Sequence, residues 1–277
     1  MQTKYAWDTV KCWVQHKAPA LYAGFLKIKR PLPVNIIYLK GAIKKQIFIM
    51  KAKKIAKTNF KKINQNNVNN KSITVITGYT EAIKDLADIT TRYLIKYCEF
   101  NGYDHFIYTE KDFSHNMKPA WSKLIFINKE FEKGYQYVLW VDADAIITNA
   151  NYKLESIIEN DKDIYISKDV NGLNTGIVMF KNTDKVKNIL NKLLEMHDRF
   201  YNHAWFEQAA FIDLYEMNEY GTRDLCKIMP QSEWNAYLYL IFYRIRYPAG
   251  EWSQSSFTLH FPGFPLDTRL AILKYFK

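Results

Sequence analysis

Tyr137-Val-Leu-Trp-Val141 is a run of apolar residues with no polar position inside it. A strand with one wet face alternates polar and apolar residues, so an unbroken run predicts a strand buried on both faces. The run stops at Asp142-Ala-Asp144. Upstream, Ser72–Thr77 (SITVIT) is rich in β-branched residues and predicts a first strand, with Gly78 making the turn. Thr80 is placed to cap a helix whose apolar positions follow a 3.6-residue period: Ile83, Leu86, Ala87, Thr90, Tyr93, Leu94 and Tyr97. Gly102 ends that helix and His105–Tyr108 reads as a second strand, which makes a β-α-β unit with parallel strands. A helix from about Pro119 to Lys133 leads into the central strand. Short strands at Asp163–Ser167 and Ile177–Phe180 follow, with the polar stretch Asp169–Gly176 read as a loop between them. Asn182–Phe200 and Phe206–Met217 complete the pattern as amphipathic helices. Alternating strands and helices predict an α/β fold, a central, mostly parallel sheet flanked by helices.

Charge divides the chain in two. Residues 1–72 hold 16 Lys/Arg and one acid, Asp8, or +15; the remainder holds 23 Lys/Arg against 27 acids, or −4. Asn59–Lys71 is rich in Asn and Lys and reads as a linker, so the expected division is a basic helical arm, 1–71, and a domain, 72–277. Lysines interleaved with Trp7, Trp13, Phe25 and Leu26 suit the surface of an anionic membrane, although a solvated arm packed on the domain fits the same pattern. No nucleic-acid partner is expected. Cys12, Cys98 and Cys226 are odd in number and far apart, which argues against a disulfide framework and for a reducing compartment. No run approaches the roughly 20 apolar residues of a membrane span. MQTKYAWDTVKCW lacks the continuous apolar core of a signal peptide. The expected location is the cytoplasm, peripheral on the inner face of the membrane.

Candidate chemistry centres on Asp142 and Asp144. Two positions apart on extended chain, their carboxylates point to one side. They end a buried strand, and open α/β sheets bind ligands at the carboxyl ends of their strands. Paired hard oxygen ligands suit a divalent cation, Mn²⁺ or Mg²⁺. The plainer alternative is that one Asp caps the next turn and the other is solvated.

Several landmarks occur in order: Trp121-Ser-Lys123, VLWVDADAIITN, Asn174-Thr175-Gly176, Phe206-Glu207-Gln208-Ala209, Trp234-Asn-Ala-Tyr237 and His260-Phe-Pro-Gly263. In that order and spacing, over residues 72–265, the chain resembles the galactosyl/mannosyl/xylosyl transferase family. That family includes fungal α-1,2-galactosyltransferases, α-1,6-mannosyltransferases and plant xyloglucan xylosyltransferases. The resemblance implies a GT-A fold, a divalent metal (usually Mn²⁺) and a nucleotide-sugar donor, with a UDP-sugar expected over a GDP-sugar. It also implies α-linked transfer with retention to a glycan or lipid-linked glycan. By the same resemblance, Asp142 and Asp144 match the metal and donor motif, and His260 the distal histidine that completes the metal shell. Glu207 and Gln208 match the pair on the β-face of the donor sugar, with Glu where the family more often has Asp. Asn174, Thr175 and Gly176 would contact sugar hydroxyls, Lys123 would face the donor phosphates, and Thr77, Gly78 and Tyr79 would hold the nucleoside base. The membrane anchor of the eukaryotic relatives has no counterpart in the residues here. Two rival readings stand beside this one. A haloacid-dehalogenase-type phosphotransferase also places Asp-x-Asp after an apolar strand, but there the strand normally opens the domain. A non-catalytic polyanion- or membrane-binding protein would have no need of Asp142, Asp144 and His260 together.

Overall fold

The apolar run at 137–141 is a strand, and its side chains alternate between two separate hydrophobic clusters. Val138 and Trp140 enter one; Tyr137, Leu139 and Val141 enter the other. Every residue of the strand is therefore buried, as its unbroken apolar character predicts. The computed structural model describes residues 72–238 and 250–276, with positions 46, 47, 49–51 and 53. Its strands are β1 (Ile73–Gly78), β2 (Asp104–Tyr108), β3 (Tyr137–Val141), β4 (Ala145–Ile147), β5 (Ile164–Asp169), β6 (Gly172–Lys181), β7 (Cys226–Met229), β8 (Ala236–Tyr237) and β9 (Thr258–His260). The longer helices are α1 (Lys84–Asn101), α2 (Pro119–Glu132), α3 (Asp184–Glu195), α4 (Phe206–Met217) and α5 (Leu266–Leu273).

Six strands form one sheet in the order β2-β1-β3-β6-β5-β7. β1 pairs in parallel with both β2 and β3, and β5 with β7, whereas β6 runs antiparallel between β3 and β5. Helices cover both faces. Trp121, Leu124 and Phe126 of α2, Ile189 and Leu190 of α3 and Phe211 of α4 pack with Val138 and Trp140. Leu94, Tyr97 and Cys98 of α1 pack with Leu139 and Val141, together with Trp234 and Phe257. Cys98 and Cys226 are buried free cysteines, and Cys12 lies outside the described residues.

Local signals set several boundaries. Gly102 closes α1 in the left-handed conformation, and α2 starts on a proline in its first turn. Thr183 caps α3 by accepting from the Val186 amide. The side chain of Thr80 makes no such bond; a 3-10 turn, Glu81–Ile83, precedes α1 instead. The predicted helix 182–200 divides at Met196 into α3 and one further turn, His197–Phe200. The largest correction concerns the polar stretch Asp169–Gly176. It is not a loop: β6 begins at Gly172, directly after a tight turn from β5, and carries Asn174, Thr175 and Gly176 as strand residues. Gly172 has φ +116°, a conformation that L side chains rarely adopt. The polar side chains are tolerated on a buried strand because partners distant in sequence satisfy them.

A second, three-stranded sheet, β4-β9-β8, was not evident from periodicity. Ile146, Leu259 and Phe261 of this region pack with Leu86 and Ile89 of α1 and with Ile272 and Leu273 of α5. Ile49 belongs to the same cluster and Lys51 pairs with Glu251 at 2.9 Å, so part of the basic arm is seated on the domain. The rest of residues 1–71 lies outside the described residues. Among the described residues, no helix is long and apolar enough to cross a membrane.

Leu259 is fully buried at the centre of the small sheet. Leu259→Ala should cost about 2–5 kcal/mol, the transfer term plus the cavity left behind. Urea unfolding should show a lower midpoint with an unchanged slope.

Candidate active site

β3 ends at Val141, and the Asp-Ala-Asp segment that follows is a turn rather than extended chain: the Ala145 amide donates to the Asp142 carbonyl at 2.9 Å. The two carboxylates therefore converge through a turn, not through the pleat. β4 then leaves in a new direction and pairs antiparallel with β9, placing Ala145 opposite His260. The Phe261 amide also donates to the Asp144 carbonyl, at 3.2 Å. This pairing carries His260 Nε2 to 3.1 Å from Asp144 Oδ1 across 116 positions of sequence. One ligand atom each from Asp142, Asp144 and His260 lies within 4.8 Å of the others. Two carboxylate oxygens and an imidazole nitrogen this close make a donor set that could hold a divalent cation.

The ring of His260 is held in one tautomer by a chain of amides. The Gly176 backbone N–H, which can only donate, points to Asn174 Oδ1 at 2.9 Å. That oxygen also accepts from Asn235 Nδ2 at 2.9 Å, so the other face of the Asn235 amide is its oxygen. Asn235 Oδ1 lies 2.9 Å from His260 Nδ1, which must then carry the hydrogen. Nε2 is left to face the carboxylates, the orientation a metal-binding histidine requires. Asn174 is in turn braced by Asp169 and Tyr237, the latter donating to Asp169 at 2.6 Å.

Gly176 makes the ring's position possible. The Asp142 amide donates to the Gly176 carbonyl at 2.7 Å, which brings β6 against the turn. A β-carbon at Gly176 would lie 2.3 Å from His260 Cε1 and 3.0 Å from Nδ1.

Beneath the carboxylates lies a buried ion cluster. Lys123 Nζ lies 2.8 Å from Glu207 Oε1, 3.2 Å from Asp142 Oδ1 and 3.3 Å from the Thr175 carbonyl. Its three donors are thus engaged within the protein, and its side chain, expected to face donor phosphates, is only 6 % exposed. Burial opposes the charge on Lys123, but Asp142 and Glu207 outweigh it and hold the ammonium's pKa above the ordinary lysine value. Burial raises the pKa of Glu207, with Lys123 opposing the shift. The Thr175 hydroxyl donates to Glu207, and the Thr175 amide donates to Gln208 Oε1 at 3.2 Å. Glu207 is thus fully committed, while Gln208 is partly exposed. Phe206, just before them, has φ 45°, a strained conformation for a non-glycine residue. Burial also raises the pKa of Asp144, but His260 and Arg269 pull it lower, to about 2.

Thr77 is buried at the end of β1, and its hydroxyl has no partner among the described residues. Gly78 packs where a side chain would press on Phe113, Phe126 and Trp140. Tyr79 is partly buried, and beyond it a cavity of about 230 Å³ is lined by Glu81, Lys84, Leu86, Leu266 and Leu270.

A sequence profile of the galactosyl transferase GMA12/MNN10 family matches residues 67–162 and 156–263. The chain belongs to this family. It is a glycosyltransferase, and the phosphotransferase and non-catalytic readings give way to that assignment. A solved glycosyltransferase involved in the glycosylation of the major capsid of PBCV-1 is similar to it over 73 % of this chain and 98 % of that one. The TM-score is 0.58 and the identity 16 %. The bifunctional glycosyltransferase WbbM, in its apo structure, matches over 75 % of this chain and 50 % of its own, with a TM-score of 0.50 and 12 % identity. At such identities the likeness shows the fold alone, which is GT-A. No curated protein sequence matches.

Four functional contributors carried no role in the sequence analysis. Asn235 and Tyr237 sit in a motif used for the resemblance, but their link to Asn174 is visible only in space. Trp140, read as a core residue, donates its indole N–H to Asp142 Oδ1 at 2.5 Å. Arg269 pairs with Asp144 Oδ2 at 3.1 Å and has no motif to announce it.

Gly176→Ala tests the close approach. The added methyl should push His260 from the carboxylates and weaken Mn²⁺ binding by about 10–100-fold, as loss of ligand orientation does. The stability cost should stay within the roughly 1–3 kcal/mol of overpacking. Isothermal titration with Mn²⁺, beside a thermal melt, separates the two effects.

Proposed function

We propose that this glycosyltransferase is metal-dependent and moves a hexose or pentose from a nucleoside-diphosphate sugar, a UDP-sugar before a GDP-sugar, to a glycan or lipid-linked glycan acceptor. Transfer proceeds with retention and leaves an α-linkage. The observation that carries the proposal is the convergence of Asp142, Asp144 and His260 on one point. A divalent cation held there would act as a Lewis acid on the donor's diphosphate. Lys123, locked between Asp142 and Glu207, keeps the buried carboxylates compensated. Gln208 is partly exposed where Glu207 is not, so its amide is the member of the pair that meets the sugar's β-face and stabilises charge developing at the anomeric carbon. Asn174 and Thr175 line the same strand end, and Thr77 with Tyr79 supports the base.

Nucleoside diphosphate release should require Mn²⁺ or Mg²⁺, be faster from a UDP-sugar than a GDP-sugar, and stop in excess chelator. Asp144→Ala should lower kcat/KM by about 100-fold or more, since Lewis-acid stabilisation is worth several kcal/mol. Proton NMR of the product should show an α-anomeric signal. Full activity in chelator, or a β-linked product, would sink the proposal.

The basic arm supplies a second part of the reading: the enzyme works on the cytoplasmic face of a membrane, docked by residues 1–71. Near an anionic leaflet each Lys or Arg contributes about 1 kcal/mol, and the interleaved Trp and Phe add an apolar term less sensitive to salt. The full chain should co-sediment with anionic liposomes, and neutral liposomes should leave it in solution. Replacing Lys27, Lys29, Arg30, Lys40, Lys44 and Lys45 by Gln should abolish the binding while soluble-acceptor activity persists. Binding that survives those replacements would assign the arm another role.

A further inference from the structure

Asp144 stands between two nitrogen partners, an imidazole and a guanidinium, one at each of its oxygens. His260 Nε2 takes Oδ1 at 3.1 Å and Arg269 Nη1 takes Oδ2 at 3.1 Å. A divalent cation bound by Asp144 and His260 would enter between Oδ1 and Nε2 and draw on the same carboxylate charge that Arg269 holds at Oδ2. His260 belongs to the ligand set, so the group with somewhere else to go is Arg269. Building on the metal-dependent reading above, we infer that Arg269 is a placeholder cation: it holds Asp144 while the site lacks metal, then turns to the donor's diphosphate when metal and donor bind.

Three features of the fold support this role. First, the guanidinium is under-used. Its side chain is four-fifths buried, yet Nε is enclosed with no partner among the described residues. A planar fork of five donors with one oxygen partner among the described residues is suited to take two phosphate oxygens side by side. Second, its base is anchored. Ile272 and Leu273 of α5 are fully buried against Leu86, Ile146, Leu259 and Phe261. The Tyr93 hydroxyl donates to the Phe276 carbonyl at 3.0 Å just beyond the helix. Only the side chain, not the helix, need move between the two partners. Third, the other cation beside the carboxylates is unavailable, because Lys123 is spent on Asp142, Glu207 and the Thr175 carbonyl.

Charge makes the second position useful. A nucleoside-diphosphate sugar carries two negative charges, which a divalent cation balances. When the sugar leaves, the diphosphate gains a third, and a guanidinium within reach stabilises it as it develops. The same guanidinium compensates Asp144 between turnovers, as Lys123 compensates Asp142.

Arg269→Gln tests this with two binding measurements of opposite sign. Titrated with Mn²⁺ alone, the variant should bind several-fold more tightly than the unaltered protein, because a competitor for Asp144 is gone. Titrated with UDP at saturating Mn²⁺, it should bind about tenfold more weakly, the loss expected for a charge-assisted contact. Arg269→Lys keeps the charge and should lie between on both axes. A thermal melt of each variant identifies simple misfolding, which would lower both affinities together. The inference is overturned if UDP affinity is unchanged in Arg269→Gln, or if both affinities fall in a variant that melts normally. If the unaltered protein itself binds neither Mn²⁺ nor UDP, the metal-dependent reading fails with it; if it binds both and the variant shows no opposed shifts, only the placeholder role fails.

Discussion

Two carboxylates held a few ångströms apart at the end of a buried strand repel each other, and the architecture around them reads as the means of containing that repulsion. On one side, Lys123 reaches up from α2 between Asp142 and Glu207. On the other, His260 and Arg269 grip the two oxygens of Asp144. Each partner comes from a different element: a helix under the sheet, a strand of the small sheet and the helix after it. A salt bridge on the surface would contribute little. Here every partner is largely buried, so losing one leaves an uncompensated charge, the costly case for an interior ion pair.

The small sheet exists, in functional terms, to deliver His260. β4 is the continuation of the Asp142–Asp144 turn, and β9 lies against it in a register that sets His260 opposite Ala145. β8 lies on the far side of β9 and supplies Tyr237, while Asn235 just before it reaches the ring. The large sheet contributes the opposite wall through β6, where Gly176 leaves the room that the ring fills. A network of Asn174, Asn235, Tyr237 and Asp169 closes the seam between the two sheets. Because one end of that network is a backbone N–H, its polarity is fixed throughout, and the imidazole inherits a defined tautomer.

Glu207 illustrates how burial reassigns a residue. Its place near the start of α4 is compatible with catalysis or with plain helix-dipole stabilisation. Its surroundings, Lys123 and Thr175 with almost no solvent, make it part of the ion cluster that supports Asp142. Gln208, its neighbour, keeps the partial exposure a substrate-facing group requires.

The sequence alone determined what depends on neighbours along the chain. The run 137–141 had to be a doubly buried strand because no residue in it tolerates water, and Gly102 had to end α1 because it accepts φ 73°. Asp142 and Asp144 were legible from their spacing at the end of a buried strand, whereas His260 was legible as their partner only because the motif order resembles a family. Tertiary structure decided what depends on partners far away. Asp169–Gly176 read as a loop because polar residues on a strand look unsatisfied until Asn235, Tyr237 and Glu207 arrive from elsewhere. Lys123 was expected to face donor phosphates because helical periodicity does not reveal which two acids will surround it. Arg269 gave no signal, since its meaning lies in α5 docking beside a turn more than a hundred residues earlier. Periodicity reports which face of an element is buried; only the packed chain reports which charges that burial brings together.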